Sequence, residues 1–304
     1  MKQHQYTKNI KYIIKQALRE DIGDGDITTR LLIPANKNSI AHIIAKQSGV
    51  LAGRDIVYQV FKSIDPRVKI NFRVKEGEKF SKGKIIAELK GNTRALLSGE
   101  RTALNILCRL SGIATLTRKF VEAVAHTKAK ILDTRKTTPN LRILEKYAVR
   151  MGGGTNHRFG LYDMILIKDN HIQAAGSITN AIMRTRKNNS KMLIEVETKN
   201  LSEVKESLQL KVPIIMFDNM NLKQIREAVK LAKGKPRPSK VKWQKDYKKY
   251  RAIQEGLGKA KLEVSGGVNL RNIRKIAKTG VDYISVGALT HSAQIIDMSM
   301  KIDN

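Results

Sequence analysis

The chain has 304 residues, enough for one large or two medium domains, with 41% hydrophobic content and no apolar run approaching the length of a membrane span. Its formal net charge of +31 attracts anions of any kind, nucleic acid or multiply charged small substrates alike, and does not by itself choose between them. Met1 to Lys11 is polar and basic with no apolar segment behind it, so no secretory signal and a cytoplasmic location are expected; the single cysteine, Cys108, lies among Leu104, Leu107 and Leu110 and reads as a small buried hydrophobe.

The first predicted element is an amphipathic helix over Asn9 to Glu20. The acidic turn Asp21 to Asp26 follows. It lacks the spacing and closing glutamate of a calcium loop, so a structural turn is preferred. Strands are expected over Ser39–Gln47 and Val68–Val74, with a helix between them over Gly53–Ser63. The glycine-punctuated Lys75–Gly91 reads as further β-structure in the same accessory domain. From Thr93 to His126 the apolar period becomes helical, with Gly112 as a break and Arg101 standing as either a solvated residue or a carboxylate or phosphate fork.

Beyond Thr127 short apolar strands alternate with helices. Strands are expected at Lys130–Asp133, Met164–Ile167, Met192–Val196, Pro213–Phe217, Leu262–Val264 and Tyr283–Val286; helices at Asn140–Arg150, Leu222–Ala232 and Leu270–Lys278. Such alternation implies a parallel sheet. An α/β barrel is favoured over a doubly wound sheet because polar residues crowd nearly every strand end and no Gly-x-Gly-x-x-Gly opens the first unit. The proline-bounded basic stretch Gly234–Lys261, with Trp243, Tyr247 and Tyr250, reads as an insertion. Its aromatics suit packing on the body or a second subunit better than single-stranded nucleic acid.

The strand ends converge on one face in a barrel. They supply Arg135 and Lys136; Lys168; Glu197; Asp218; Ser265, Gly266 and Gly267; and Gly287 with Ala288. His157 and Arg158 follow the glycine run Gly152–Gly154. Cations of this density can clamp a pyrophosphate and a polyanionic co-substrate, and the two glycine turns, with a helix expected to start after Gly267, suit a terminal phosphate. Glu197 and Asp218 are hard oxygen donors of the kind Mg²⁺ takes. With no serine–histidine or cysteine–histidine nucleophile in view, charge stabilisation and positioning are the expected chemistry.

Several of these runs resemble quinolinate phosphoribosyltransferase, also called carboxylating nicotinate-nucleotide pyrophosphorylase. They are Ser98 to Asn105 with Arg101, Asp133 to Pro139, Gly152 to Asp163, Lys168 to His171, Glu195 to Thr198, Phe217 to Asn219 and Val264 to Val268. The resemblance covers about residues 15 to 295 in order. It implies transfer of phosphoribosyl from phosphoribosyl pyrophosphate to quinolinate with loss of carbon dioxide and pyrophosphate, dependence on Mg²⁺, and nicotinate mononucleotide as the product for NAD synthesis. It also implies an incomplete, open α/β barrel over residues 116–304 and a β-rich, sandwich-like N-terminal domain over 1–115, on which the last helix is expected to pack.

By resemblance, Arg135, His157, Arg158 and Lys168 contact the quinolinate carboxylates, and Arg101 is donated across the interface of a homodimer or larger homo-oligomer. Lys136 stands near the phosphoribosyl pyrophosphate and the reaction centre, Glu197 and Asp218 near the ribose and metal. Ser265, Gly266, Gly267, Gly287 and Ala288 form the phosphate-binding turns. A membrane or nucleic-acid partner is not expected. Relatives of the same fold acting on another acceptor, such as the molybdenum-transport-associated homologue, are the alternative; the set Arg101, Arg135, His157, Arg158 and Lys168 argues for a dicarboxylate. Two departures stand out: Asn140 where a glycine is usual, and the length and basicity of the Gly234–Lys261 insertion.

Overall fold

A computed structural model describes residues 3–188, 192–234 and 259–303. The chain divides into two compact units, each discontinuous in sequence: unit 1 comprises residues 1–119, 136–155 and 287–304, and unit 2 residues 120–135 and 156–286. Most of the basic insertion lies outside the described residues.

Unit 1 begins with helix α1 (Gln3–Ile22), longer than its apolar spacing alone indicates, and α2 (Ile27–Leu32). Asp26 caps α2 by accepting the Thr29 N–H at 2.9 Å, so the acidic turn serves as a helix start. The strands β1 (Asn38–Ala45), β2 (Gly49–Val50), β3 (Lys69–Phe72), β4 (Lys79–Phe80) and β5 (Ile85–Asn92) follow, with α3 (Arg54–Ile64) between β2 and β3. The main sheet is antiparallel along β1–β5–β3. Its fourth strand is β12 (Met298–Ile302), paired with β1. The chain's last element is therefore a sheet strand, where a packed helix was expected. The apolar positions Met298 and Met300 alternate with Ser299 and Lys301, and a period of two buries one face of a strand.

Helix α4 (Thr93–Val124) runs 32 residues through Gly112 without a break. A Cβ on Gly112 would lie 2.1 Å from the Gln294 carbonyl oxygen, so this glycine admits a close backbone neighbour and does not end the helix. The segment 136–155 carries α5 (Arg142–Met151), whose Ile143, Leu144, Ala148 and Val149 are buried.

Among the described residues, unit 2 holds six strands: β6 (Lys130–Leu132), β7 (Ile165–Ile167), β8 (Ile194–Thr198), β9 (Ile214–Asp218), β10 (Lys261–Ser265) and β11 (Tyr283–Ser285). All are parallel, in the order β6–β11–β10–β9–β8–β7, and β6 and β7 remain as edges of an open α/β barrel. Ile194, Val196, Ile215 and Phe217 are wholly buried, as a parallel sheet covered on both faces requires. Helices α6 (Asp169–Ala175), α7 (Ile178–Asn188), α8 (Leu201–Gln209), α9 (Leu222–Lys233) and α10 (Ile273–Ala277) alternate with the strands. Asn200 and Asn221 cap α8 and α9, and the Arg186 guanidinium donates to the Leu210 carbonyl at 2.7 Å beyond the end of α8. Helix α10 is shorter than the expected Leu270–Lys278. Asn269 and Asn272 tie residues 267–272 into a turn, the Asn272 amide donating to the Gly267 carbonyl at 2.9 Å, so no helix starts directly at Gly267. In unit 1, Gly287 leads into the short α11 (Ala288–His291).

Candidate active site

Within unit 2 the strand ends gather side chains of opposite charge. Asp133, wholly buried just after β6, accepts the His157 backbone N–H at 2.9 Å and the Asn156 side-chain amide. That fixes the start of the run after the glycines. His157 Nε2 lies 2.9 Å from Glu195 Oε2 and 3.7 Å from Glu263 Oε2. Glu195 on β8 and Glu263 on β10 are buried on the two strands that flank β9, with Ser285 Oγ donating to Glu263 at 2.6 Å. Burial pushes both carboxyls up to about 8. Removal from water is the first cause at both; the Glu195 charge adds to the rise at Glu263, whereas the hydrogen bond with Glu263 partly offsets it at Glu195. His157, Glu195 and Glu263 place their ligand atoms within 4.8 Å of one another, so they form a group that could hold a cation.

Arg158, 9% exposed, donates through Nη1 to the Met164 carbonyl at 3.3 Å. Its ionisation is pulled below the usual guanidinium range, first by burial and second by the Arg135 guanidinium. Arg135 and Arg158 are thus close enough for their like charges to repel one another in a partly dry place. Lys168, at the end of β7, reaches Glu197 Oε2 at 3.2 Å. Burial raises the Glu197 carboxyl, Lys168 lowers it, and Asp218 raises it in turn, so Glu197 and Asp218 are electrostatic neighbours. Beside Glu197 opens a hollow of about 230 Å³, lined also by Asp169, Ile172, Gln173, Lys199 and Glu203.

The turn after β10 is built on backbone geometry. Gly266 has φ +88° and Gly267 φ +61°, both in the left-handed region. Asn219, also left-handed at φ +53°, donates its N–H to the Ser265 carbonyl at 2.9 Å and its side-chain amide to Asp218 at 3.0 Å. A Cβ on Gly266 would sit 2.2 Å from Asn219 Oδ1. The β9 and β10 ends are thereby locked to each other through Asp218, Asn219 and Gly266.

Of the residues singled out in the sequence, Arg135, His157, Arg158, Lys168, Glu197, Asp218, Ser265, Gly266 and Gly267 all belong to unit 2, and direct contacts or electrostatic coupling link many of them there. Arg101, Lys136, Gly287 and Ala288 belong to unit 1. There Arg101 is exposed on α4, one turn from Ser98, whose hydroxyl donates to Asp26 at 3.1 Å. Lys136 Cδ and His291 Nε2 both flank Gly287, at 3.0 and 3.2 Å from where a Cβ would stand. Asp133 and Glu195 fall within runs quoted from the sequence but carry no individual role there, and Glu263 and His291 are not singled out. A usable signal existed for two of them: Glu195 shares a strand face with Glu197, and Glu263 with Ser265, because side chains two apart point the same way.

Two family models match the chain: the C-terminal domain of quinolinate phosphoribosyl transferase over residues 113–301 and its N-terminal domain over 26–111. A probable carboxylating nicotinate-nucleotide pyrophosphorylase of Synechocystis is 43% identical over 290 residues, covering 95% of this chain and 91% of that protein. One of Bacillus subtilis is 42% identical, covering 96% and 93%. The solved nicotinate-nucleotide pyrophosphorylase of Francisella tularensis superposes with a TM-score of 0.86 at 38% identity, over 97% of this chain and 96% of that one. That of Ehrlichia chaffeensis gives 0.85 at 42% identity, over 96% and 98%. The chain belongs to the quinolinate phosphoribosyltransferase family.

Proposed function

We propose that the charged cluster at the strand ends of unit 2 is the reaction site of a decarboxylating pentosyltransferase. The chain transfers phosphoribosyl from phosphoribosyl pyrophosphate to the ring nitrogen of quinolinate, releasing pyrophosphate and carbon dioxide and yielding nicotinate mononucleotide for de novo NAD synthesis. The observation that carries the site reading is the electrostatic coupling of Arg158 to Arg135, and of Arg158, Lys168 and Glu197 to the one buried Glu195. The guanidiniums suit a multiply charged anion, and the carboxylates suit a developing positive charge.

In this reading Arg135, Arg158, His157 and Lys168 hold the two carboxylates of the pyridine. Lys168 exchanges part of its contact with Glu197 for substrate. The ring nitrogen attacks the anomeric carbon as pyrophosphate departs, through an oxocarbenium-like state that Glu197 and Asp218 stabilise. The pyridinium so formed draws electrons from its adjacent carboxylate. Carbon dioxide leaves, its bonding pair stays on the ring carbon, and that carbon takes up a proton. Lys136 and the turns at Ser265–Gly267 and Gly287–Ala288 are assigned to the phosphates.

Glu197 and Asp218 are adjacent hard donors whose mutual repulsion a cation would relieve, and they suit Mg²⁺. Bound there, the ion would neutralise charge on the pyrophosphate. We further infer a homodimer. Helix α2 exposes Ile27, Leu31 and Leu32 at 72–80%, an apolar face close in the chain contacts to the helix turn that carries Arg101. Such a face supports the reading that Arg101 reaches a partner's site. A cytoplasmic location accords with a free buried Cys108 and with the finding that no described helix is long and apolar enough to cross a membrane.

Incubation with quinolinate, phosphoribosyl pyrophosphate and Mg²⁺ is expected to give nicotinate mononucleotide and one carbon dioxide per turnover. Product with nicotinate but none with quinolinate would refute the dicarboxylate assignment. Turnover undiminished by a chelator would refute the metal.

A further inference from the structure

From Lys136 to Thr138 the backbone of unit 1 belongs to no helix or strand. Its polar groups nevertheless have named partners. The Thr290 hydroxyl, wholly buried on α11, donates to the Lys136 carbonyl at 2.6 Å and lies 3.3 Å from the Gly287 carbonyl. The Thr138 N–H and hydroxyl donate to the two oxygens of Glu145, at 3.1 and 2.9 Å. Arg142 Nε donates to the Thr137 hydroxyl at 2.9 Å. Arg109 closes the circuit. Its Nη2 donates to Glu145 Oε1 at 2.6 Å and to the Thr290 carbonyl at 3.1 Å, while its Nε donates to the same Glu145 oxygen at 3.0 Å.

An ion pair with a buried carboxylate and a half-buried guanidinium is weak evidence for stabilisation, since the cost of removing charge from water offsets much of the attraction. What distinguishes this one is where its bonds end. Glu145, 1% exposed, spends its oxygens on Thr138 and Arg109, and Arg109 passes the connection to the carbonyl of Thr290. Thr290 in turn touches the backbone of both Lys136 and Gly287. A segment without ladder bonds is thus fixed at the Lys136 carbonyl and at the two residues after it, by groups from α4, α5 and α11. The threonines of the Thr137–Thr138 pair serve as tethers, facing Arg142 and Glu145.

We propose that Thr290, held by the Arg109–Glu145 pair, is a positioning residue for the transferase reaction: its hydroxyl sets the Lys136 backbone against the Gly287 turn, so that the ammonium and the turn meet the same phosphoribosyl pyrophosphate. The inference rests on the assignment of Lys136 and Gly287 to that substrate. A valine at 290 keeps the branched shape and loses only the donor; a serine keeps the donor.

Steady-state kinetics with each substrate varied separately tests this. Thr290→Val is expected to lower kcat/KM for phosphoribosyl pyrophosphate by about ten- to a hundredfold, the scale of a misplaced catalytic group, with KM for quinolinate unchanged. Thr290→Ser should recover most of the loss. In a Lys136→Ala background Thr290→Val should cost little more, because coupled residues are not additive. Wild-type kcat/KM in Thr290→Val, equal impairment in Thr290→Ser, or a full additional loss in the Lys136→Ala background would each overturn the proposal. If Thr290→Val does not fold, Arg109→Lys, which keeps the charge and loses the fork to the Thr290 carbonyl, takes its place with the same readouts. Lys136→Ala alone separates the two levels: full activity there removes the assignment of Lys136 and the proposal with it, whereas a crippled Lys136→Ala beside an unimpaired Thr290→Val removes only the positioning.

Discussion

Glycine at position 266 answers to two constraints at once. Its φ of +88° lies in a region where an L side chain costs about 1–2 kcal/mol, and the space a Cβ would need is held by Asn219. Gly266→Ala is therefore expected to lower the denaturation midpoint and to raise KM for phosphoribosyl pyrophosphate more than KM for quinolinate; an unchanged pair of KM values would detach this turn from the phosphate. Asn140 illustrates the same backbone rule from the opposite side. Its φ is +63°, and asparagine is among the few side chains that accept the left-handed region, so the residue that departs from the family pattern still fits its turn. The cations and the glycines were legible in the sequence because their chemistry shows in residue type. Glu195 and Glu263 were only half legible: their spacing from Glu197 and Ser265 gives a shared strand face, but that this face turns inward follows only from the register.

Among the elements, α4 shows how a local rule gives way to a tertiary one. A glycine within a helical period reads as a break, yet residues 93–124 form one helix and Gly112 lies under the Gln294 carbonyl. Gly112→Ala should raise intrinsic helix propensity and still destabilise the protein by about 1–3 kcal/mol through overpacking, measurable by denaturant titration; a stabilised variant would mean the 292–296 segment moves aside freely. The parallel strands were legible within a residue or two, since continuous apolar runs bounded by polar ends have few other readings. Strand β12 was missed because its pairing partner, β1, lies more than 250 residues away in the chain. No local pattern carries that information. The turn after Gly267 was mistaken for a helix start because Asn269 and Asn272 satisfy backbone groups that a helix would otherwise claim.

For the molecule as a whole, the buried acids set a pH dependence. Glu263 is raised from 4.5 to about 8 on folding, and Glu195 likewise, so the folded state holds protons that the unfolded chain has released. Stability is then greatest below about 4.5 as far as these groups are concerned, falls as pH rises, and levels above about 8. Glu263→Gln, which keeps the neutral shape, should give a shallower decline in melting temperature between those limits; the wild-type slope in that variant would show that the pair is ionised throughout. The charge of +31 adds an ionic-strength dependence to the capture of anionic substrates, without bearing on the fold. The central claim is that Arg135, Arg158 and Lys168 form one receptor for a pyridine dicarboxylate, and calorimetric titration with quinolinate measures it most directly. Arg135→Ala and Lys168→Ala should each weaken binding by at least about tenfold, the worth of one charged hydrogen bond, with melting temperatures near wild type; affinity for quinolinate equal to wild type in both variants would contradict the account.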